Sequence, residues 1–431
     1  MSENRNHRLK RELGIGGATM MGLGSMIGTG VFVSIGIAAG VAGPSVILAI
    51  ALAACVATCN ALSSAQLAAS HTVSGGTYEY GYRYLTPSLG FTAGWVFLLA
   101  KSASAATAAL GFAAYFLRLV GEGGTMAPWL AVGAVALFTI LVLAGIQRSS
   151  QANIAIVSVT LLALGAFVLA GMPMAFSAGT EAFVPFFFDS GGEAVRPFVY
   201  ATALMFVAFT GYARIATLGE EVIEPRRTIP RAIIVTLVVT ALLYIAVAAV
   251  AIGSVGADRL AGASATPLEL AARAMEMPFL AQLVAIGAIT AMLGVLLNLI
   301  LGLSRVLLAM GRQRDMLPIF GRVSADGKAP AAAVIAVGIL VAALAAIGSV
   351  ELAWSFSAFT VLVYYAFTNL AALRLPEEHR LYPRWIARAG LAACLFLAFW
   401  VPLAIWGAGI ALIALGLLWR QVALRLWQRP A

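Results

Sequence analysis

The sequence predicts an all-α polytopic membrane protein of twelve spans, two of them discontinuous. Three observations carry that reading. First, 431 residues that are 62% hydrophobic and only 10% charged, with a mean hydropathy of +0.97, exclude one large soluble domain. Second, the apolar stretches recur at lengths that cross a bilayer. Third, two stretches carry glycine where a membrane helix should be strongest: the first holds GLGSMIGTG, Gly22 to Gly30, and the sixth holds Phe209-Thr210-Gly211. A glycine costs roughly 1 kcal/mol relative to alanine in a helix interior. Irregular backbone at membrane depth survives only where protein or an aqueous cavity satisfies its polar groups, so two breaks five elements apart mark a solute site near the bilayer midplane.

Taken in order, residues 1–12 are a polar, basic tail with no small-residue cleavage site, so the first span is expected to stay in the mature chain. The span cores fall at 13–37, 44–68, 89–117, 127–146, 151–171, 197–218, 232–254, 279–308, 331–348, 352–373, 386–402 and 405–419. Most cover about 30 Å of hydrocarbon at about 1.5 Å per residue. The last pair is divided only by Val401-Pro402 and Gly407. The expected domains are the tail 1–12, a ten-span core 13–373, a connection with two peripheral spans 374–419, and a C-terminal tail 420–431.

Charge sets the orientation. With both termini cytoplasmic, all of the 27 Lys and Arg residues except Arg118, Arg196, Arg259, Arg273, Lys101 and Arg214 fall on the cytoplasmic side. That is the positive-inside pattern of a multi-pass cell-membrane protein. The net charge of +9 is accordingly a topology signal, with anionic membrane lipids as its secondary partner. Nucleic acid is excluded as a partner, because no basic soluble module remains outside the spans. Span one begins inside and span six outside, and both are broken. Spans one to five and six to ten are therefore expected to form a five-plus-five inverted repeat, the alternative being an unrelated arrangement with two glycine-packed helices.

Three blocks resemble one family. GIGGATMMGLGSMIGTGVF, FVAFTGYARIATLGEEVIEPRRTIPRAI and SRVLLAMGRQRDMLP are similar to the amino acid, polyamine and organocation permease superfamily, over about Gly14 to Leu375. The resemblance implies a LeuT-like secondary transporter, most often of amino acids, with substrate surrounded by spans one and six and parts of three and eight.

Breaking span one across Ser25, Met26, Ile27, Gly28, Thr29 and Gly30 frees amide donors on one side and carbonyl acceptors on the other. An amino acid uses both, its carboxylate on the donors and its ammonium on the carbonyls. The competing reading is close helix packing through Gly24 and Gly28. In span six, Ala208, Thr210 and Gly211 expose backbone while Phe206, Phe209 and Tyr212 cover an apolar side chain or simply pack. No acidic side chain sits at depth there, so neutral or modestly apolar amino acids are expected over arginine, lysine or polyamines.

Lys101 lies mid-span in GWVFLLAKSASAATAALGF, too deep to snorkel. Such an ammonium is costly unless paired, hydrated or deprotonated, which makes it the candidate for proton coupling, with a fixed structural cation as the alternative. Some proton-coupled members of the family carry a lysine in span five; here that stretch offers Ser158 and Thr160 instead. A sodium site using span-one carbonyls and Thr290 of span eight stays open.

The remaining signals are weaker. In GEEVIEPRRTIPR, Glu220, Glu221 and Glu224 face Arg226, Arg227 and Arg231 in sequence; Glu220 and Arg214 are the gating candidates. Asp315 suits loop ordering or a gate. Cys55, Cys59 and Cys394 lie in apolar stretches, and His7, His71 and His379 form no metal constellation. With no nucleotide-binding loop or catalytic domain, the chain is expected to be no enzyme and to need no cofactor. The leading expectation is proton-coupled, alternating-access amino-acid transport. Sodium-coupled transport, amino-acid exchange, and a non-transporting interaction protein are the alternatives.

Overall fold

Helix follows helix in the computed structural model, which describes residues 14–71, 75–122, 124–145, 150–187, 195–216, 222–263, 265–323 and 329–427. The helices are α1 (Ile15–Met26), α2 (Thr29–Phe32), α3 (Ser34–Ala42), α4 (Val46–Ser70), α5 (Thr77–Tyr84), α6 (Pro87–Val120), α7 (Ala127–Leu143), α8 (Ser150–Ser177) and α9 (Val195–Phe209). They continue as α10 (Ala213–Ala216), α11 (Pro225–Val255), α12 (Ala257–Gly262), α13 (Pro267–Ala274), α14 (Pro278–Arg312), α15 (Ala331–Ala346), α16 (Val350–Leu373), α17 (Arg384–Phe399) and α18 (Leu403–Trp427). The chain is an all-α polytopic membrane protein: among the described residues eight helical stretches are long and apolar enough to cross a bilayer, and α7 and α15 are shorter apolar helices.

α6 sits at the centre. Of its most apolar stretch 89% is buried, against 17% for α18, which lies at the periphery. Its alanine-rich face, Ala100 to Ala109, lets α14 and α16 approach along its length. Its ends are written locally. Thr86 accepts from the Leu89 N–H at 3.2 Å and Pro87 opens the first turn. Gly121 adopts a left-handed φ of 79°, and the Glu122 N–H closes onto the Leu117 carbonyl at 2.9 Å.

Both expected interruptions are present. α1 stops at Ile27, whose ψ of 100° leaves the helical region, and Gly28 is extended before α2 begins. The column then resumes, since the Val33 N–H reaches the Thr29 carbonyl at 3.1 Å and the Ile37 N–H reaches Val33 at 3.4 Å. α9 gives way to a 3₁₀ turn over Thr210–Tyr212 before α10.

Three short helices, α5, α12 and α13, occupy intervals read from sequence as connections, because eight residues or fewer leave little periodicity to detect. α18 also runs to Trp427, past the expected boundary at 419. Its added turns bring Arg420 onto the Ser88 hydroxyl at 2.7 Å, and at the expected boundary the Trp419 Nε1–H donates to the Asp315 carbonyl at 3.1 Å.

Asp315 ties these pieces together. Its buried carboxylate accepts hydrogen bonds from Tyr78, at 2.8 Å, and from Tyr82, and lies 3.9 Å from Arg420. Burial pushes this carboxyl up, against the pull of both tyrosine hydroxyls and Arg420. The native state thus keeps a proton that the unfolded chain gives up, so this group's contribution weakens as pH rises from the ordinary carboxylate range through the raised value. Asp315→Ala is expected to cost about 2–3 kcal/mol by stranding the buried hydroxyls and the guanidinium. Thermal unfolding in detergent measures it; an unchanged midpoint would show that water replaces the carboxylate without loss.

Candidate functional site

The two interruptions meet face to face. A Cβ on Gly211 would strike the Ser25 carbonyl oxygen, and one on Gly30 would lie 2.7 Å from both the Ala208 Cβ and the Tyr244 hydroxyl. Here the missing side chains are what permit the approach of one backbone to the other. Carbonyls freed by the first break find partners on neighbouring helices. Tyr244 of α11 donates to Met26 at 2.7 Å and lies 3.4 Å from the Ala208 carbonyl; Tyr115 of α6 donates to Phe32 at 2.8 Å. Ser34 donates back to Gly30.

Beside the crossing lies a cavity of about 290 Å³. Ser25, Met26, Thr29 and Gly30 line it from the first break, Ala208, Thr210 and Gly211 from the second, and Lys101 from α6. Four other expected contacts stand behind this wall. Ile27 is 2% exposed in the core, and Gly28 packs on Val295, whose methyl would lie 2.7 Å from an added Cβ. Phe206 packs on Tyr365 and Phe209 on Tyr244, with ring centres 5.7 and 5.3 Å apart. Their aromatic faces brace the break rather than cover the cavity.

Lys101 is 8% exposed, and its Nζ donates to the Thr210 hydroxyl at 2.9 Å. The Thr210 hydroxyl donates its own hydrogen bond to the Val207 carbonyl at 2.7 Å, leaving its oxygen to accept. Among the described residues no carboxylate lies within ion-pair distance of Lys101, and none lines the cavity. The Thr29 hydroxyl is also buried and has no hydrogen-bond partner. An ammonium with unfilled donors and a free hydroxyl therefore share one cavity wall with the first amides of α2, which have no acceptor within their own helix.

Several lining residues escaped the sequence reading. α14 contributes Asn298 and Arg305, and α16 contributes Trp354, Tyr364 and Tyr365, with the Tyr365 hydroxyl 3.3 Å from the Thr210 carbonyl. The signal was there in form, an amide inside LGVLLNLILG and paired tyrosines inside VLVYYAF. α5 closes one side through Thr77 and Tyr80, and the Thr77 hydroxyl meets that of Thr368 at 2.7 Å. Thr290 donates to carbonyls of its own helix, Ile286 at 2.9 Å and Gly287 at 3.1 Å, and the α14 side chain against the first break is Val295. Arg214 falls within α10, its side chain outside the described residues, and Glu220 lies outside them altogether. Glu224 and Arg227 form an exposed pair at 3.7 Å, of a kind worth about 0–1 kcal/mol.

The sequence model of the family described as amino acid permease matches residues 17–426. A Mycobacterium tuberculosis protein designated an uncharacterized transporter is 44% identical over 408 residues, 95% of this chain and 90% of its own. The branched-chain amino acid permease BcaP of Bacillus subtilis is 29% identical over 322 residues, 70% of this chain and 68% of its own. The methylthioribose transporter of the same organism is 26% identical over 397 residues, 88% and 84% of the two chains.

Proposed function

The chain belongs to the amino acid permease family and is a secondary transporter of small solutes; on that premise we propose that its cargo is an amino acid and its driving ion a proton. The observation that carries the reading is Lys101 hydrogen-bonded to Thr210, which places a titratable amine of α6 on the broken backbone of the sixth span. The substrate carboxylate uses the Thr29 hydroxyl and the amides of Thr29 and Gly30, and its ammonium uses the carbonyls where α1 ends. Lys101 loads and releases the proton as its hydration changes between access states, and Thr210 transmits the change to the break. The described lining holds no carboxylate, which disfavours arginine, lysine and polyamines; the neutral or modestly apolar amino acids expected from the sequence fit it, and so do acidic ones.

The architecture we assign is LeuT-like: twelve spans, α1–α3 as span one and α9–α10 as span six, a five-plus-five inverted repeat, and both termini cytoplasmic in the cell membrane. The charge asymmetry supports it. Glu181→Cys and Arg227→Cys are then expected to react with an impermeant thiol reagent from opposite faces of sealed, oriented vesicles. Labelling from one face would reject the orientation.

The functional experiment is flux into proteoliposomes under separately imposed proton and sodium gradients. Amino-acid accumulation is expected with the proton gradient alone. Accumulation that follows sodium, or exchange without either gradient, would replace the proton; no flux of any amino acid would reject the cargo.

A further inference from the structure

The charge of the cavity is one-sided. Lys101 and Arg305 both line it, while Asp, Glu and His are absent from its described lining. Arg305 has neither an ion pair nor a hydrogen bond among the described residues, and Lys101 has only Thr210. A buried cation is normally matched by a carboxylate or by several acceptors, and Lys101 is matched by neither among the described residues.

The two cations come from different helices: Lys101 of α6 is hydrogen-bonded to Thr210 at the sixth-span break, and Arg305 belongs to α14. Arg305 is exposed within the cavity wall, and its planar guanidinium fork matches the geometry of a carboxylate. The α-carboxylate of an amino acid is taken by Thr29 and the amides of the first break in the function proposed above, and the α-ammonium by carbonyls. A zwitterion with a neutral side chain therefore leaves both cations uncompensated. Its ordering of charge is complete without them.

We infer that the cavity selects an acidic amino acid, whose side-chain carboxylate is the counter-charge for Lys101 and Arg305. The inference rests on the amino-acid reading of the same site and narrows its cargo from two classes to one. It also gives proton coupling a direct chemical partner. A side-chain carboxylate favours the protonated form of Lys101 at the moment of binding, so anion and proton load together and the side chains gain no net charge on loading. Arg305, in the same cavity lining, discriminates the carboxylate from an uncharged isostere.

Equilibrium binding of L-glutamate, L-glutamine and L-leucine to purified, monodisperse protein at matched pH and ionic strength tests this. Glutamate is expected to bind at least about tenfold tighter than its isosteric amide. Arg305→Gln is expected to bring that ratio close to one, and Arg305→Lys to restore a substantial part of it. Added salt should narrow the wild-type ratio. Glutamine or leucine binding as tightly as glutamate would overturn the acidic assignment and leave amino-acid transport standing. A glutamate preference that survives Arg305→Gln would remove Arg305 from recognition. If none of the three binds and none moves in flux assays, the amino-acid reading itself fails and the acidic one with it.

Discussion

Lys101→Ala is expected to abolish proton-driven accumulation, a loss of at least about a hundredfold, while leaving slow exchange of bound substrate. The wild-type amine has one hydrogen bond, to Thr210, and no carboxylate within ion-pair distance among the described residues. Its charge state is thus set by hydration and cargo rather than by a fixed partner. Alanine removes the titrating group and also frees the Thr210 oxygen. Lys101→Arg separates the two roles the amine fills. Arginine keeps a positive charge but does not release its proton, so it preserves anchoring to Thr210 and should still lose coupling. Substrate flux and internal pH are measured together in proteoliposomes, normalised to folded protein. Wild-type accumulation with unchanged proton movement in Lys101→Ala would remove Lys101 from coupling. Retained accumulation in the arginine variant alone would make it a fixed cation.

Gly211→Val is expected to be the most damaging single change at the crossing of the broken helices. The added Cβ would strike the Ser25 carbonyl, a backbone atom that cannot rotate away, and would lie 2.7 Å from the Met26 Cγ. Overpacking of a tight core costs about 1–3 kcal/mol, and here the displaced atoms are the substrate-binding backbone. Transport and binding should fall together, by at least about a hundredfold. Gly133→Val is the control, since that glycine is exposed on α7 and meets nothing within 4 Å. Gly28→Val should fall between them: its neighbour is a Val295 methyl, which has room to shift that a carbonyl does not. Gly211→Val with normal flux would show that the interruptions tolerate separation.

The uneven legibility of the site follows from these contacts. Lys101 stood out because a lone ammonium in an apolar run is costly wherever it points. Thr29 and Gly30 stood out because a break needs small residues and spare hydrogen-bonding groups. For Phe206 and Phe209 the sequence leaves cover and packing both open, since aromatic residues beside a break look alike whether they face a cavity or brace its back. Tyr244, which ties the Met26 carbonyl to α11, left no mark at all, because a single tyrosine in an apolar helix has no sequence signature for the carbonyl it reaches. Asp315 suits loop ordering or a gate from sequence, and its partners Tyr78, Tyr82 and Arg420 lie far from it along the chain.

The sequence by itself determined the membrane class, the helical content, the two interruptions and the presence of one buried amine, because each depends on composition and local backbone cost, which neighbours in the chain already specify. Tertiary structure alone decided that the interruptions touch, that Lys101 binds Thr210, that Ile27, Gly28, Phe206 and Phe209 stand behind the cavity wall, and that Arg305 shares the cavity with no carboxylate among its described lining. Those facts depend on which faces of α1, α6, α9, α14 and α16 turn toward one another. In an apolar solvent that choice is made by packing and by the pairing of buried polar groups, since burial of hydrophobic surface no longer separates inside from outside.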